Sequence, residues 1–398
     1  INEKCFISSG IINVKFEDGS LLETIGNSSF SNTNIKTIDI PNTVVSLGMM
    51  AFAYSAIEKI NFGENSKLSV INASCFKECG NLEAIDLPDN IGVIGDGAFR
   101  NSGIKNMHIS SNIQLIGAEA FASCTNLLEI QVDENNSFYK SVDGVLFTKK
   151  GTKLLCYPAG KKDSAYQVND IVTQLETSAF EGAQHLTEIV LNNKIREIPK
   201  YCFAYCPNLN YYFGFDNIET IDEFAFACNF KMSSFKFGAS LISIGKFAFY
   251  GNYSLSQVIF DENTQIKRIG AYVFASCGLT TFKFPISVSS IAQYVFSDCA
   301  SLKEIIIPAN SQIEYIPAYA FDGCSNLEKV IFEQGNNVTN IEANAFSGLI
   351  WLTDINLENT AITKIGNYAF MGCRSLCNLV LPETLEEIGR FAFYNCIS

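Results

Sequence analysis

Fourteen cysteines, two histidines and forty-one acidic side chains are the residues of this chain that could do chemistry. Thiolates and imidazoles at short spacing would hold zinc, a Cys–His pair would make a nucleophile, and paired carboxylates would act as general acid and base. The spacings support none of these. No Cys-x-x-Cys pair occurs, and His108 and His185 stand far apart. There is no Gly-x-Ser-x-Gly elbow, no phosphate loop and no His-Glu-x-x-His. Asp133-Glu134-Asn135-Asn136-Ser137 opens like a calcium loop, but Phe138 replaces the required Gly and Gly144 stands where the bidentate Glu belongs. The expectation is no catalytic residue, no metal site and no cofactor.

Charge and hydropathy narrow the partners. Acids outnumber bases 41 to 28, a net charge of −13 that opposes binding to nucleic-acid phosphates. With 47% apolar and 17% charged residues the chain reads as soluble and ordered. No apolar run is long enough to span a bilayer, so no membrane insertion is expected within these residues.

The positions of the cysteines lead to the elements that hold them. One pattern recurs around sixteen phenylalanines, Phe6, Phe30, Phe52, Phe76, Phe99, Phe121, Phe180, Phe203, Phe226, Phe249, Phe274, Phe296, Phe321, Phe346, Phe370 and Phe393. The steps are 22 to 25 residues, apart from one of 59 between Phe121 and Phe180. Five residues before each anchor stands Ile or Leu, and eight before it another aliphatic wherever the chain extends that far. After each anchor comes a short stretch of period-two alternation, such as Ile305-Ile306-Ile307, often closed by Pro, which reads as a strand with one face buried. No single unit can hide its Phe, whereas stacked neighbours hide them all, so the pattern predicts a solenoid. Eight cysteines occupy the slot three after an anchor, and Cys5, Cys75 and Cys202 the slot just before one. These eleven read as small buried hydrophobes rather than a disulfide framework. Cys156, Cys228 and Cys377 fall outside both columns and are the candidates for exposed or paired sulfur. The five N-glycosylation sequons match the number chance supplies at this content of Asn, Ser and Thr, and carry no information on secretion.

The unit Ile-Gly-x-x-Ala-Phe-x-x-Cys-x-x-Leu-x-x-Ile-x-Leu-Pro, seen at Ile94-Gly95-Asp96-Gly97-Ala98-Phe99 and at Ile388-Gly389-Arg390-Phe391-Ala392-Phe393, resembles the BspA-like branch of leucine-rich repeat proteins. The resemblance covers essentially the whole chain. It implies an α/β leucine-rich repeat solenoid, right-handed and curved, with a parallel sheet on one face and short or irregular return segments. Residues 1–398 are expected to form one domain of about sixteen repeats. The pattern runs off both ends, so a piece of a longer protein is expected. The 59-residue step is expected to hold a β-hairpin insertion over residues 133–170, with Phe147, Leu154 and Tyr157 pinning it to the solenoid. Family members are described as surface adhesins, which implies a cell-surface or secreted recognition module. Its partner would be a protein or glycan on a host cell, on matrix or on another microbe. The rivals are a self-associating surface-coat protein and a remote carbohydrate-active enzyme.

Candidate binding residues lie where the core does not dictate identity. On the strands, the outward position is polar in early repeats (Asp39, Asn61, His108, Gln131) and turns apolar or basic later. Val190, Tyr212, Lys236, Ile259, Lys283, Ile306 and Ile331 form the candidate face. The strand around Tyr212, Leu209-Asn210-Tyr211-Tyr212-Phe213-Gly214-Phe215, is unusually aromatic, and its register is ambiguous by one residue. Two before the anchor, an aromatic column runs from Tyr201 through Phe224, Phe247, Tyr272, Tyr294 and Tyr319 and, past Asn344, on to Tyr368 and Phe391. It reads either as a binding stripe or as a half-buried ladder stacking at the repeat spacing. In the insertion, Lys140, Lys149, Lys150, Lys153, Lys161 and Lys162 face a single acid, Asp143, between Phe138 and Lys162. They suit sulfated glycans, anionic headgroups or an acidic protein, or simply keep an exposed edge soluble.

Overall fold

The sixteen anchors number the coils of the chain, with Phe6 in coil 1 and Phe393 in coil 16. The structure is a computed structural model that describes residues 1–358 and 360–397. Its residues divide into two compact units, one of Ile1–Ser164 with Ile171–Leu186, the other of Ala165–Asp170 with Thr187–Ser398.

Within the first unit, two-residue strands from Thr24–Ile25 to Leu115–Ile116 form a five-stranded parallel ladder. Four-residue strands pair in parallel elsewhere, Thr37–Ile40 with Lys59–Phe62 and Asn106–Ile109 with Glu129–Val132. The second unit repeats the scheme with two short-strand ladders, Glu197–Ile198 to Ser290–Ile291 and Tyr315–Ile316 to Glu387–Ile388. Its other sheets pair Ser234–Phe237 with Gln257–Phe260, and join Thr281–Lys283, Glu304–Ile307 and Lys329–Phe332 with the two-residue Asp354–Ile355. The aliphatic five before the anchor is the buried residue of the short strand at Ile25, Leu47 and Ile244, and at the last coil the same position, Ile388, is exposed.

The expected α/β label needs correcting, because the described residues contain strands and turns but no helix. A bracket around the anchor gives the reason. In all sixteen coils the residues two before and two after the anchor have positive φ, for example Phe224 at 55° and Cys228 at 59° around Phe226. Alternate amides cross to the next coil: Phe224 N–H donates to Lys246 O, Phe226 N–H to Ala248 O and Cys228 N–H to Tyr250 O, at 2.8–3.1 Å. The amides between them close turns three residues back, as Ala225 N–H does on Asp222 O and Ala227 N–H on Phe224 O. Left-handed residues four apart exclude a helix, which needs every amide to reach four residues back along right-handed backbone. The return arch satisfies its own polar groups by this alternation.

The anchor column runs through the core among buried aliphatic and cysteine side chains. The fourteen inner anchors, Phe30 to Phe370, are buried. In the first unit the rings of Phe6 to Phe121 stack at 5.1–5.8 Å, and Tyr157 stacks on Phe180 at 5.3 Å. In the second unit the rings of Phe203 to Phe393 stack at 5.1–5.8 Å.

The insertion is an antiparallel meander, Tyr139–Val142, Val145–Thr148 and Lys153–Cys156, whose third strand then pairs in parallel with Gln174–Leu175. It thereby re-enters the short-strand scheme. Phe147, Leu154 and Tyr157 are buried, as the sequence predicts. The Tyr139 hydroxyl accepts the Ile116 amide at 2.8 Å and so satisfies the last strand of the preceding ladder. No helix among the described residues is long and apolar enough to cross a membrane.

The left-handed bracket makes an unusual ranking testable. Tyr272, at φ 56°, stacks between Phe247 and Tyr294 at 4.7 and 4.8 Å. Alanine there loses the stack and keeps the backbone strain, whereas glycine loses the stack alone. Tyr272→Gly is therefore expected to be more stable than Tyr272→Ala by about 1 kcal/mol, the reverse of the order on right-handed backbone. Denaturant midpoints of the two variants check the ranking.

Candidate binding surface

The outward column of the second unit is assembled by strand register. Val190 stands beside Phe213, Lys236 beside Ile259, and Lys283 beside Ile306 and then Ile331. Ile259 is 43% exposed, and Val190, Ile306 and Ile331 are half-buried. The first unit carries polar side chains at the matching positions: Asn61 Nδ2 donates to Asp39 Oδ1 at 2.7 Å, and His108 pairs in register with Gln131.

Tyr212 is not on this face. Its Cα partner is the inward Ile189, and its ring lies against Phe215, Phe226 and Phe235 at 5.3–6.0 Å. Its hydroxyl donates to Leu209 O at 3.2 Å and accepts from Asn229 Nδ2 at 3.3 Å. Three aromatic residues in succession give period-two reading no phase, and Gly214 at φ 80° turns the chain so that Phe215 is the next inward ring. The outward residues of this strand are Tyr211 and Phe213, 56% and 50% exposed. Phe230 and Tyr253, which sequence reading passed over, add an exposed pair stacked at 5.9 Å. The signal available for them was their shared position, four after an anchor.

Lys283 is tethered rather than free. Its Nζ reaches Glu333 Oε1 at 2.7 Å, and Glu333 Oε2 also accepts the Ala309 amide at 3.0 Å. The Lys283 hydrogen bond and that amide hold the Glu333 carboxyl below its usual range. Lys236 is exposed.

The insertion's lysines separate. Lys153 pairs with Glu176 at 2.6 Å and Lys161 with Asp163 at 3.1 Å. Lys149 Nζ donates to Glu134 O at 3.2 Å, and Lys162 Nζ lies 2.8 Å from His185 Nε2. Lys150 is exposed and Lys140 half-buried. Two of the six cations are thus matched by acids, which reduces the local positive field.

The aromatic column is a stack. Rings from Tyr201 to Tyr319 follow one another at 4.7–5.0 Å, half-buried, with Lys200 over Tyr201 and Lys246 over Phe247. Neighbouring rings cover each other's faces, so edges rather than faces meet solvent.

The cysteine column has a polar duty as well as a packing one. The thiols of Cys79, Cys124, Cys277, Cys299, Cys324 and Cys373 donate to the carbonyl of the preceding anchor at 2.9–3.1 Å. In coil 10 the Asn252 amide does the same, at 3.0 Å from Phe226 O. Cys377 is exposed and Cys228 half-exposed, while Cys156 is buried in the insertion, contrary to expectation. Burial pushes the Cys79, Cys299 and Cys373 thiols up to about 12 and Cys124 up to about 11. Alkylation of the native protein at pH 8 is expected to mark Cys5 and Cys377 and to reach these four only after unfolding, which peptide mass spectrometry checks.

One carboxylate pair sits in the first unit. Arg100 reaches Glu119 Oε2 and Glu181 Oε1, each at 2.6 Å, and Ser123 Oγ donates to Glu181 Oε1 at 2.9 Å. Glu181 is buried and its carboxyl is shared with the guanidinium, so the group fastens coils 5, 6 and 7 together.

A family model described as "BspA type Leucine rich repeat region" matches residues 1–141, 164–268, 219–347 and 289–398. No curated protein sequence matches the chain. Among solved structures, pneumococcal vaccine antigen PcpA has a TM-score of 0.55 at 20% identity, covering 95% of this chain and 76% of that one. A leucine-rich repeat protein from Eubacterium ventriosum ATCC 27560 gives 0.41 at 22% identity over 94% and 81% of the two chains. A leucine rich cell surface protein from Faecalibacterium prausnitzii A2-165 gives 0.42 at 21% over 78% and 82%. At this identity the likeness to the pneumococcal antigen is one of fold.

Proposed function

The chain belongs to the BspA-type leucine-rich repeat family, and from that premise we propose that it is a non-enzymatic recognition module of a cell surface. It attaches to a protein or glycan on a host cell, on matrix or on another microbe. The observation that carries the reading is the outward column Val190, Phe213, Ile259, Ile306 and Ile331, apolar and exposed or half-buried where the core makes no demand. The matching positions in the first unit are polar. Apolar residues flanked by Lys236 and Lys283 form the mixed surface that protein interfaces use. Strand backbone fixes these side chains before a partner arrives, so binding entails little rearrangement. Glu119 and Glu181 give the catalytic rival no support, since both are bound to Arg100.

Titrating purified protein onto cultured epithelial cells and immobilised matrix proteins tests the reading. Saturable attachment is expected, and attachment that rises linearly without saturating on every surface contradicts it. Light scattering over a concentration series separates the coat-protein rival, with a monomer expected throughout.

A further inference from the structure

The short-strand ladder of the second unit carries a groove that the adhesion reading does not use. It measures about 520 Å³ and lies over the strands from Glu197–Ile198 to Ser290–Ile291. Its floor is bare by necessity. A Cβ at Gly245 would stand 2.8 Å from the backbone of Asp222 and Glu223, and one at Gly270 would stand 2.8 Å from Lys246 N. Above this floor, Thr220, Ser243, Arg268 and Ser290 succeed one another in register. The main chain beneath is already engaged: Gly245 N–H donates to Ile221 O at 2.7 Å and Gly270 N–H to Ile244 O at 2.9 Å. An occupant therefore meets side chains and not a free backbone edge.

Charge gives the groove a direction. Glu197 and Asp222 lie at the end over coils 8 and 9. Towards the other end, over coil 11, stands Arg268, the one cation among the lining residues; Lys267 precedes it in sequence and Lys246 follows Gly245. Nearby cations are neutralised, Arg196 by Glu219 at 3.6 Å and Lys200 by Glu223 at 3.1 Å. Among the described residues, Lys246, Lys267 and Arg268 have no such acidic partner, although Lys246 rests on the Phe247 ring at 4.9 Å. Arg268 thus makes the end of the groove away from Glu197 and Asp222 locally positive in a chain of net charge −13.

We propose that this groove binds an acidic oligosaccharide, its carboxylate or sulfate seated on Arg268 and its hydroxyl groups along Ser243 and Thr220. A guanidinium takes either acid group through two parallel N–H donors. Hydroxyl side chains repeating at the ladder spacing of about 4.8 Å can each give and accept a hydrogen bond, as sugar hydroxyls do. An acidic peptide is less well served, because strand addition needs an unpaired backbone edge that this ladder does not offer. The groove lies on a different ladder from Ile259 and Ile306, so the site stands independently of the attachment face.

Isothermal titration calorimetry with a sulfated heparin hexasaccharide and with hexagalacturonate tests the site, with a neutral dextran hexasaccharide and hexaglutamate as comparators. An acidic sugar is expected to bind, and whichever of the two binds identifies the acid group. Arg268→Ala should weaken binding at least tenfold and Arg268→Ala with Lys267→Ala further. Lys149→Ala with Lys150→Ala in the insertion, and Ile259→Glu with Ile306→Glu on the other ladder, should leave it unchanged. Circular dichroism confirms that the variants fold. Failure of both acidic sugars to bind, equal binding of hexaglutamate, or an undiminished affinity in Arg268→Ala would overturn the proposal.

Discussion

Arg100→Met is expected to destabilise the first unit by about 3–5 kcal/mol at pH 7, the usual cost of stranding one member of a buried ion pair. Glu181 is the group left behind. Its side chain is 1% exposed, its Oε1 loses the 2.6 Å bond to the guanidinium, and only Ser123 Oγ remains against that oxygen. Burial already holds the Glu181 carboxyl above the usual carboxylate range, and the Arg100 charge offsets part of that rise. The sign of the pH dependence follows. A carboxyl that titrates higher in the folded chain contributes stability that is complete below its unfolded value and is lost as pH rises through the folded value. Removing Arg100 raises the folded value further, so the loss widens from near pH 4, about the ordinary glutamate value, towards pH 7. Urea unfolding of wild type and Arg100→Met at both pH values measures this. Equal destabilisation at the two would remove the electrostatic account. The second variant Arg100→Met with Glu181→Gln should recover much of the loss at pH 7, because no buried charge is then stranded.

Phe226→Ala is expected to cost about 3–5 kcal/mol, the range for truncating a buried ring. The Phe226 ring is fully buried, stacked between Phe203 and Phe249 at 5.3 and 5.1 Å and edged by Tyr212, Phe215 and Phe235 within 5.9 Å. Both stacked neighbours are themselves held by left-handed brackets that tie each coil to the next, so the void cannot close by sliding a coil. Because each coil rests chiefly on its neighbours, the damage should be local. Amide exchange is expected to accelerate in coils 8 to 10 of the second unit while the amides around Phe370 keep their protection. Uniform acceleration across all nine anchors of that unit would mean that it unfolds as one cooperative block.

What could be read beforehand follows the physics of repetition. The anchor column, the aliphatic residues five and eight before it and the buried cysteine slots recur at one period, so repetition exposes them and the core that they form. The bracket around each anchor was hidden, because Lys4, Met50, Glu119 and Phe224 occupy the same left-handed position and share no chemistry that would mark it. The second ladder was hidden for another reason: a two-residue strand is too short to show alternation. Three rings in a row, Tyr211, Tyr212 and Phe213, erase the phase that would place Tyr212. The aromatic column was visible, but only the 4.7–5.0 Å ring spacing shows that its members cover one another. The Arg100–Glu181 bond joins residues 81 apart across the insertion, and no local pattern announces such a pair.

These distinctions bear on function because they sort side chains the core requires from side chains it does not. Phe226 and Cys299 belong to the first class, and Ile259 and Ile306 to the second. The decisive measurement is the attachment of Ile259→Glu with Ile306→Glu to a surface that wild type binds saturably. Attachment should fall at least tenfold while the denaturant midpoint and the circular dichroism spectrum stay at wild-type values. Undiminished attachment by this folded variant would contradict the assignment of the binding face.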